Sequence, residues 1–297
     1  MEIIIQDLVK SYGSNNALNK ISFEIREGQF FTLAGANGAG KSTLIDILLH
    51  RIEANSGNVL VGGKEIMDHY LFKEVGVVFQ NNVLDADLSV YQNILIRARM
   101  HFDKKKAIQE TAYWLKRLML DAVKKTQYAK LSGGERRKVD LVVALIGYPK
   151  LLIMDEPTTG IDVQSREQIW QCIEEISRER KMTILLTTHY LEEAERSDYM
   201  IILNKGNIVA QGSPYDLKQQ YVRKSCYLYT DNPEALNEKL KREGIESTIE
   251  KAKVIIPFDD NRYCIELLRN YENEYQDFEV VLGSLEKVFM NIMKEEN

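Results

Sequence analysis

The order of apolar and polar positions along the chain predicts strands that alternate with helices, which is the pattern of an α/β fold. Polar turns separate the first three predicted strands, which cover residues 3–9, 17–25 and 29–34. A hairpin is predicted over residues 57–66, and a continuously apolar strand follows over residues 75–79. The beginning of the chain is therefore predicted to be rich in strands.

From residue 81 to residue 147 the apolar positions recur every three or four residues, which is the period of an α-helix. The predicted helices cover residues 90–100, 107–120 and 132–146. Because this block interrupts an α/β pattern, we interpret residues 81–147 as an inserted helical subdomain. Two basic runs inside it, at residues 104–106 and 136–138, are predicted to be solvated helix faces.

The α/β pattern resumes after this block and continues to residue 221. Strands are predicted over residues 150–154 and 183–187, and the apolar runs within them, at 151–154 and 184–186, are typical of strands buried on two faces. Asp162 caps a helix between them. A hairpin over residues 200–210 and a helix over residues 214–221 are predicted next. We assign residues 1–221 to one domain.

The remaining residues show a different order of elements. Strand, helix, strand, strand, helix and strand are predicted between residues 226 and 282, which is the order of a ferredoxin-like unit. A short amphipathic helix ends the pattern at residues 285–293. We predict that residues 222–297 form a small α+β accessory domain, and we find no catalytic constellation in it.

The composition is that of a globular protein, and 297 residues are enough for two domains. A net charge of −5 and a pI of about 5.6 argue against a surface that coats nucleic acid. Three widely spaced cysteines predict reduced thiols in a cytosolic protein. A membrane-spanning helix needs about 18 consecutive apolar residues, and no stretch of the sequence approaches this length. We therefore expect another chain to supply any membrane span.

The most informative stretch lies between a predicted strand and a predicted helix, and it contains the motif G-x-x-x-x-G-K-[ST]. A glycine loop in this context cradles phosphates, because backbone N–H groups and the helix dipole face the anion. Lys41 is predicted to bind the β- and γ-phosphates of a nucleotide, and the Ser42 hydroxyl to bind Mg²⁺. The predicted phosphate-binding residues are Gly35, Asn37, Gly38, Gly40, Lys41, Ser42 and Thr43.

Two carboxylates follow the apolar strand at residues 150–154, at the edge where open α/β sheets bind ligands. Asp155 can hold Mg²⁺ through water, and Glu156 can accept a proton from an attacking water. His189 follows another strand of the same predicted sheet, so we expect it near these carboxylates. Gln80 is either a plain amide at a strand end or a ligand of Mg²⁺ or water.

The sequence Leu-Ser-Gly-Gly-Glu opens the last helix of the inserted block. Ser132, with Glu135 three residues later, is typical of a capping box. A cap does not require two glycines in the first turn, where they lower helix stability. We therefore favour a second anion-binding site at Ser132, Gly133 and Gly134, where bare N–H groups can approach a phosphate.

Together these motifs resemble those of the ATP-binding cassette (ABC) family of transporter ATPases, over roughly residues 1–221. The P-loop, Gln80, the Leu-Ser-Gly-Gly sequence, the carboxylates at the strand end, Asp162 and His189 occur in the order of that family. The Leu-Ser-Gly-Gly sequence, which we call the signature, is the specific part, because a P-loop alone occurs in many enzymes. Glu135 and Ile161 replace commoner residues of the family, but neither belongs to its catalytic set.

The resemblance implies a P-loop cassette with a mixed sheet, an antiparallel edge and the helical insertion, which binds and hydrolyses ATP with Mg²⁺. It implies that Tyr12 stacks on adenine and that Gln80 senses both Mg²⁺ and a membrane subunit. Ser132, Gly133 and Gly134 would close on the nucleotide of a second cassette in a head-to-tail dimer. The implied catalytic residues are Glu156 as general base, His189 and Lys41, and the implied metal ligands are Ser42, Gln80 and Asp155.

Residues 187–195 and 284–289 are similar to the branch that exports drugs, antimicrobial peptides and lipids. Members of that branch pair with a separate membrane subunit of six helices, whereas polysaccharide exporters of the wider group carry a β-sandwich tail. The resemblance thus implies an ATPase at the cytoplasmic face of the cell membrane. Its implied partners are a multi-span permease and a second cassette, most simply an identical chain, and nucleic acid is not among them.

Two other interpretations belong to different functional classes. A soluble ABC ATPase that acts on ribosomes or DNA would usually carry two cassettes or a long coiled-coil insert, and the sequence predicts neither. A regulatory module that binds nucleotide without hydrolysis would not need Glu156 and His189. The cargo is left open by the sequence, and the direction of transport rests on the resemblance alone.

Overall fold

A computed structural model describes residues 1–65, 73–81 and 83–295, with only the backbone of Glu295. The chain forms two compact units, Met1–Val209 and Ala210–Asn297. Both combine helices with strands, as predicted. No helix in the described ranges is long and apolar enough to cross a membrane.

The first unit contains two sheets and six α-helices among its described residues. One sheet is antiparallel with the strand order β2-β1-β4-β5, and the other has the order β10-β9-β3-β8-β7-β6 with parallel pairing from β9 to β6. The strands of these sheets are β1 (Ile3–Tyr12), β2 (Asn15–Ile25), β3 (Phe30–Gly35), β4 (Ser56–Val61), β5 (Lys64–Glu65), β6 (Val75–Val78), β7 (Leu151–Asp155), β8 (Thr183–Thr188), β9 (Tyr199–Asn204) and β10 (Asn207–Gly212). The division between the units falls within β10, after Val209. Its helices are α1 (Lys41–Leu48), α2 (Val90–Arg99), α3 (Lys104–Arg117), α4 (Gly133–Leu145), α5 (Val163–Arg180) and α6 (Leu191–Ala194). The predicted hairpin over residues 57–66 is formed by β4 and β5, although Ile66 lies outside the described residues.

The four central strands of the six-stranded sheet, β9, β3, β8 and β7, are buried on both faces, which explains why their apolar residues do not alternate with polar ones. On β7, Leu152 and Met154 belong to a core shared with α2, α3, α4 and α5. Leu151 and Ile153 point the other way, into a core shared with α1 and the antiparallel sheet. Two apolar cores therefore hold the carboxyl end of β7 at a fixed place.

The inserted helices agree with the prediction in type and differ in their limits. Helix α3 begins at Lys104, because the side chain of Asp103 caps it by accepting from the N–H of Lys106 at 2.9 Å. The lysines at 104–106 are exposed, as predicted. The prediction of a solvated face at residues 136–138 is wrong for Arg137, which is buried and only 6% exposed.

The second unit contains the predicted order of elements and an additional helix before them. Its strands β11 (Lys224–Tyr229), β12 (Thr248–Glu250), β13 (Lys253–Phe258) and β14 (Asp277–Val281) form an antiparallel sheet with the order β12-β13-β11-β14. Its helices are α7 (Pro214–Tyr221), α8 (Pro233–Arg242), α9 (Asn261–Asn270) and α10 (Leu285–Glu295).

The division between the units lies earlier in the chain than residue 221, where the sequence placed it. Helix α7 packs against α10, and the side-chain amide of Asn291 donates to the carbonyl of Tyr221 at 2.7 Å. The predicted limit assigned α7 to the cassette, because the apolar spacing of a helix shows that one face is covered and not which element covers it.

The start of α4 packs closely against the start of α5. Asp162 caps α5 by accepting from the N–H of Ser165 at 2.9 Å. A Cβ atom added to Gly134 would lie 2.6 Å from the Ser165 hydroxyl and 2.8 Å from its Cβ, whereas at Gly133 it would approach nothing closer than the carbonyl of Gly160 at 3.6 Å. Packing within one chain therefore already requires a glycine at position 134.

We expect Gly134→Ala to lower the free energy of unfolding of the first unit, although alanine is the better helix former by about 1 kcal/mol. Overpacking of this kind typically costs about 1–3 kcal/mol, and Ser165→Gly should remove that cost. Urea unfolding followed by tryptophan fluorescence measures the effect, because both tryptophans, Trp114 and Trp170, lie in the first unit.

The control is the same alanine in the Ser165→Gly background, where it should stabilise the unit relative to Ser165→Gly alone. If Gly134→Ala stabilised the otherwise unchanged chain, glycine would not be needed for packing, and approach of a phosphate would be left as its only explanation.

Candidate active site

The P-loop joins β3 to α1, and its glycines adopt backbone conformations that other residues rarely take. Gly38 and Gly40 have φ values of 80° and 112°, and a Cβ at Gly40 would lie 2.5 Å from the carbonyl of Ala17. Gly40 is the N-cap residue of α1, and no side chain caps this helix. The backbone N–H groups at this helix start therefore suit an anion.

Lys41 folds back over the P-loop. Its ammonium group donates to the carbonyl of Gly35 at 2.7 Å and to that of Ala36 at 3.1 Å, and the residue is 5% exposed. Burial lowers the pKa of Lys41, while the charges of Glu156 and Asp155 act to raise it. A buried cation therefore lies beside the loop that would cradle phosphate groups.

Asp155 is the last residue of β7, and Glu156 follows it in a left-handed conformation with a φ of 45°. This conformation costs a residue with a side chain about 1–2 kcal/mol. It is held in place because the N–H of Glu156 donates to the carbonyl of Thr187 at 3.0 Å, and the Thr187 hydroxyl donates to the carboxylate of Asp155. Burial raises the pKa of Asp155, and this hydrogen bond opposes the rise.

The carboxylate of Glu156 is the centre of the site. Gln80 Nε2 donates to its Oε2 at 3.0 Å, and His189 Nδ1 lies 3.1 Å from its Oε1. The hydroxyl of Thr159 donates to Oε2 at 3.4 Å. The sequence placed Gln80, Glu156 and His189 at the same sheet edge, and the structure brings all three into contact.

The signature is arranged differently. Ser132 and Glu135 form the predicted capping box: the carboxylate of Glu135 accepts from the N–H and from the hydroxyl of Ser132, both at 2.9 Å. Ser132 and Gly133 are exposed, and the side chain of Ser132 bonds to Glu135. Tyr12 is also exposed, at the end of β1, where the ammonium of Lys10 lies 5.2 Å from the centre of its ring. These residues form surface and not a closed site within one chain.

Two buried polar residues near the site were missed from the sequence. Glu193 is 2% exposed, and its carboxylate accepts from the hydroxyls of Thr158 and Thr188 and from the indole of Trp170. It thereby joins the loop after Glu156 to the strand end that precedes His189. An acidic residue in a short, charged helix gives no sequence signal of burial, so only its position after a strand end could have drawn attention to it.

Arg137 is the second missed residue. Its guanidinium donates to the carbonyls of Phe79 and Gln80, and Asp140 Oδ2 lies 3.6 Å from its Nη1. Burial raises the pKa of Asp140 to about 6, although the Tyr128 hydroxyl donates to it at 2.7 Å. The acidic residue three positions after Arg137 in an apolar helix was the available sequence signal.

Comparison with known proteins places this geometry in a family. The ABC transporter family model matches residues 18–159. The chain is 36% identical over 234 residues to the Nod factor export ATP-binding protein I of Rhizobium sp. (strain N33), which covers 76% of each chain. It is 39% identical over 213 residues to the protein of the same name from Cupriavidus pinatubonensis, covering 70% of this chain and 65% of that one.

Solved structures agree. CbiO1 from Clostridium perfringens, part of the ABC transporter complex cbiONQ, is 27% identical with a TM-score of 0.67, covering 82% of this chain and 96% of that chain. An ATP-binding cassette solved as a dimer after hydrolysis, with ADP and phosphate, has the same fold at 24% identity and a TM-score of 0.65, covering 71% and 98% of the two chains. The chain therefore belongs to the ABC transporter family and is an ATP-hydrolysing subunit of a membrane exporter.

Proposed function

We propose that two copies of this chain form a head-to-tail dimer at the cytoplasmic face of the cell membrane and hydrolyse Mg·ATP. Hydrolysis drives a separate multi-span permease that exports a drug, a peptide or a lipid-like compound. The observation that carries the proposal is the Glu156 carboxylate, which lies between Gln80 and His189 at the sheet edge that also carries the P-loop. The relatives named for Nod factor export support the direction of transport.

The nucleotide would lie on the P-loop. The backbone of Gly38 and Gly40 and the start of α1 would hold its phosphates, and the ammonium of Lys41 would move from the loop carbonyls to the β- and γ-phosphates. Tyr12 offers an exposed ring on which the adenine can stack. The residues proposed to bind ATP from this chain are Tyr12, Gly35, Asn37, Gly38, Gly40, Lys41, Ser42 and Thr43.

Magnesium would be held by the Ser42 hydroxyl, the Gln80 amide oxygen and, through water, Asp155. Hard oxygen donors suit Mg²⁺, which proteins usually hold through one or two carboxylates together with the phosphates of the substrate. A cation here would favour the charged form of Asp155, whose pKa burial raises.

Glu156 would act as the general base on the attacking water, and His189 would contact the γ-phosphate. The two side chains already lie within 3.1 Å of each other, so the histidine can hold the carboxylate before the nucleotide binds. Lys41 would stabilise the negative charge that develops on the phosphates.

We expect Glu156→Gln to bind ATP normally and to turn it over about 10²- to 10⁴-fold more slowly, since an amide cannot accept the proton. The variant should accumulate as an ATP-bound dimer, which gel filtration with ATP detects. Glu192→Gln is the matched control, because it replaces a carboxylate by an amide at an exposed position of α6 outside the site. Near-normal turnover of Glu156→Gln would exclude Glu156 as the base.

The second half of each nucleotide site would come from the signature of the partner chain. Ser132 and Gly133 are exposed at the start of α4, and Ser132 already binds a carboxylate, that of Glu135, through its N–H and hydroxyl. A γ-phosphate of the opposite cassette would present oxygen atoms to the same donors, and the exposed Gly133 has no side chain to obstruct its approach to the helix start.

A mixing experiment tests this composite site. Ser132→Arg should keep the ATP affinity of the single chain and abolish turnover, and Lys41→Ala should also be inactive. Mixed dimers of the two variants combine the intact P-loop of one chain with the intact signature of the other. Random pairing should therefore restore up to about a quarter of normal turnover. Full activity of strictly monomeric protein, or no recovery on mixing, would contradict the composite site.

The permease would dock in a groove of about 670 Å³ on the first unit. Val83, Ile96 and Met100 contribute exposed apolar side chains to it, with exposed fractions of 62%, 55% and 69%, and Arg97 adds a positive charge. Part of its wall follows Gln80 along residues 81–94, the segment for which the sequence predicts contact with the membrane subunit, although Asn82 lies outside the described residues. An apolar helix end with an acidic residue would fit this groove.

We expect Ile96→Lys to abolish sedimentation of the chain with membranes that contain the permease, while the isolated chain still hydrolyses ATP. Ile108→Lys on α3 is the matched control, since Ile108 is also exposed and does not line the groove. Membrane association that survives Ile96→Lys would place the permease elsewhere. If the unchanged protein associated with ribosomes or DNA and not with these membranes, the interpretation as a soluble ABC ATPase would be favoured.

A further inference from the structure

We propose that Arg137 is a positioning residue for hydrolysis, which ties the signature helix α4 to the segment that carries Gln80. Through this tie, the position of α4 would set the position of Gln80 relative to the carboxylate of Glu156. The inference rests on the proposed function, since it gives Glu156 the role of the base.

The tie is made to the main chain. Strand β6 ends at Val78, and pairing with β7 ends there too. Beyond the strand, Arg137 Nη1 donates to the carbonyl of Phe79 at 2.6 Å and Nη2 donates to the carbonyl of Gln80 at 3.3 Å. A planar guanidinium holds two acceptors in a fixed geometry through two separate nitrogens, whereas the donors of a lysine ammonium rotate about a single nitrogen.

Arg137 is itself fixed from behind. Asp140 Oδ2 lies 3.6 Å from Nη1, on the next turn of α4, and both side chains are only 7% exposed. The hydroxyl of Tyr128 donates to the other oxygen of Asp140 at 2.7 Å. A buried side chain with this many partners has one conformation, so it transmits a displacement of α4 and does not absorb it.

The other end of the connection is the candidate base. Gln80 Nε2 donates to Glu156 Oε2 at 3.0 Å, while the guanidinium of Arg51 stacks on the ring of Phe79 at 4.3 Å. The segment is therefore held at its carbonyls by α4 and at its ring by the loop after α1. A nucleotide that binds Ser132 and displaces the start of α4 would therefore also displace Gln80 relative to Glu156 of the same chain.

Arg137→Lys tests the tie, because it keeps a positive charge beside Asp140 and loses the rigid two-nitrogen geometry of the guanidinium. We expect about ten- to hundredfold lower kcat with little change in KM for ATP, since a shift of about 1 Å at a distance from the chemistry has such effects. Gln80→Ala should lower kcat in the same way. The double variant should be no slower than the slower single variant, within about twofold, because both changes break one connection.

Arg136→Lys is the matched control on the neighbouring residue and should leave kcat unchanged. Arg137→Met combined with Asp140→Asn guards against misfolding, since it leaves no unpaired buried charge and the amide oxygen introduced at position 140 can still accept from Tyr128. This double variant should melt within a few degrees of the parent and show the same loss of kcat.

The inference would be overturned if the decreases in kcat caused by Arg137→Lys and Gln80→Ala multiplied in the double variant. It would also be overturned if kcat were unchanged in the variant that combines Arg137→Met with Asp140→Asn. These results are separate from the test of the proposed function. If Glu156→Gln were inactive and the slowdowns multiplied, Glu156 would remain the base and only the role of Arg137 would be lost.

Discussion

Parallel pairing of β3, β7 and β8 is the constraint on which the candidate site depends. Ala34 pairs with Thr188 and Asp155 with Thr187, so the P-loop, the two carboxylates and His189 leave the sheet at one edge. Because two apolar cores fix β7 from both faces, the turn that follows it has little freedom. The left-handed conformation of Glu156 is tolerated there, and it directs the carboxylate sideways towards its neighbours.

The charges at this edge are arranged for a ligand that carries charges of its own. Burial lowers the pKa of Lys41 and raises that of Asp155, which shows that each charge is held at a cost in the free protein. Hydrogen bonds offset part of the free-energy cost of burying these charges: Lys41 donates to loop carbonyls, and Asp155 accepts from Thr187. A phosphate group beside Lys41 and a divalent cation beside Asp155 would be stronger partners for these two charges.

Sequence predicted the parts of this architecture that local patterns encode. The P-loop, the capping box at Ser132 and the strand ends at Asp155 and His189 follow from short motifs whose residues are adjacent in the chain. Arg137 and Glu193 were missed, because Arg137 binds the carbonyl of Phe79 and Glu193 accepts from Thr158, and both partners are distant in sequence. A charged run also does not show which of its members is buried. The packing partner of α7 could not be predicted for the same reason, since α10 lies at the other end of its unit.

One feature of Arg137 bears on how this family can diverge. The guanidinium binds carbonyl oxygens, which every residue possesses, so replacement of Phe79 or Gln80 would not by itself loosen the hold. The contacts of Arg137 that do require particular side chains are on its other side, where Asp140 lies beside the guanidinium and Tyr128 donates to Asp140. Among relatives, correlated substitution should therefore link position 137 to positions 140 and 128, and leave the chemistry at position 80 free to change under separate selection.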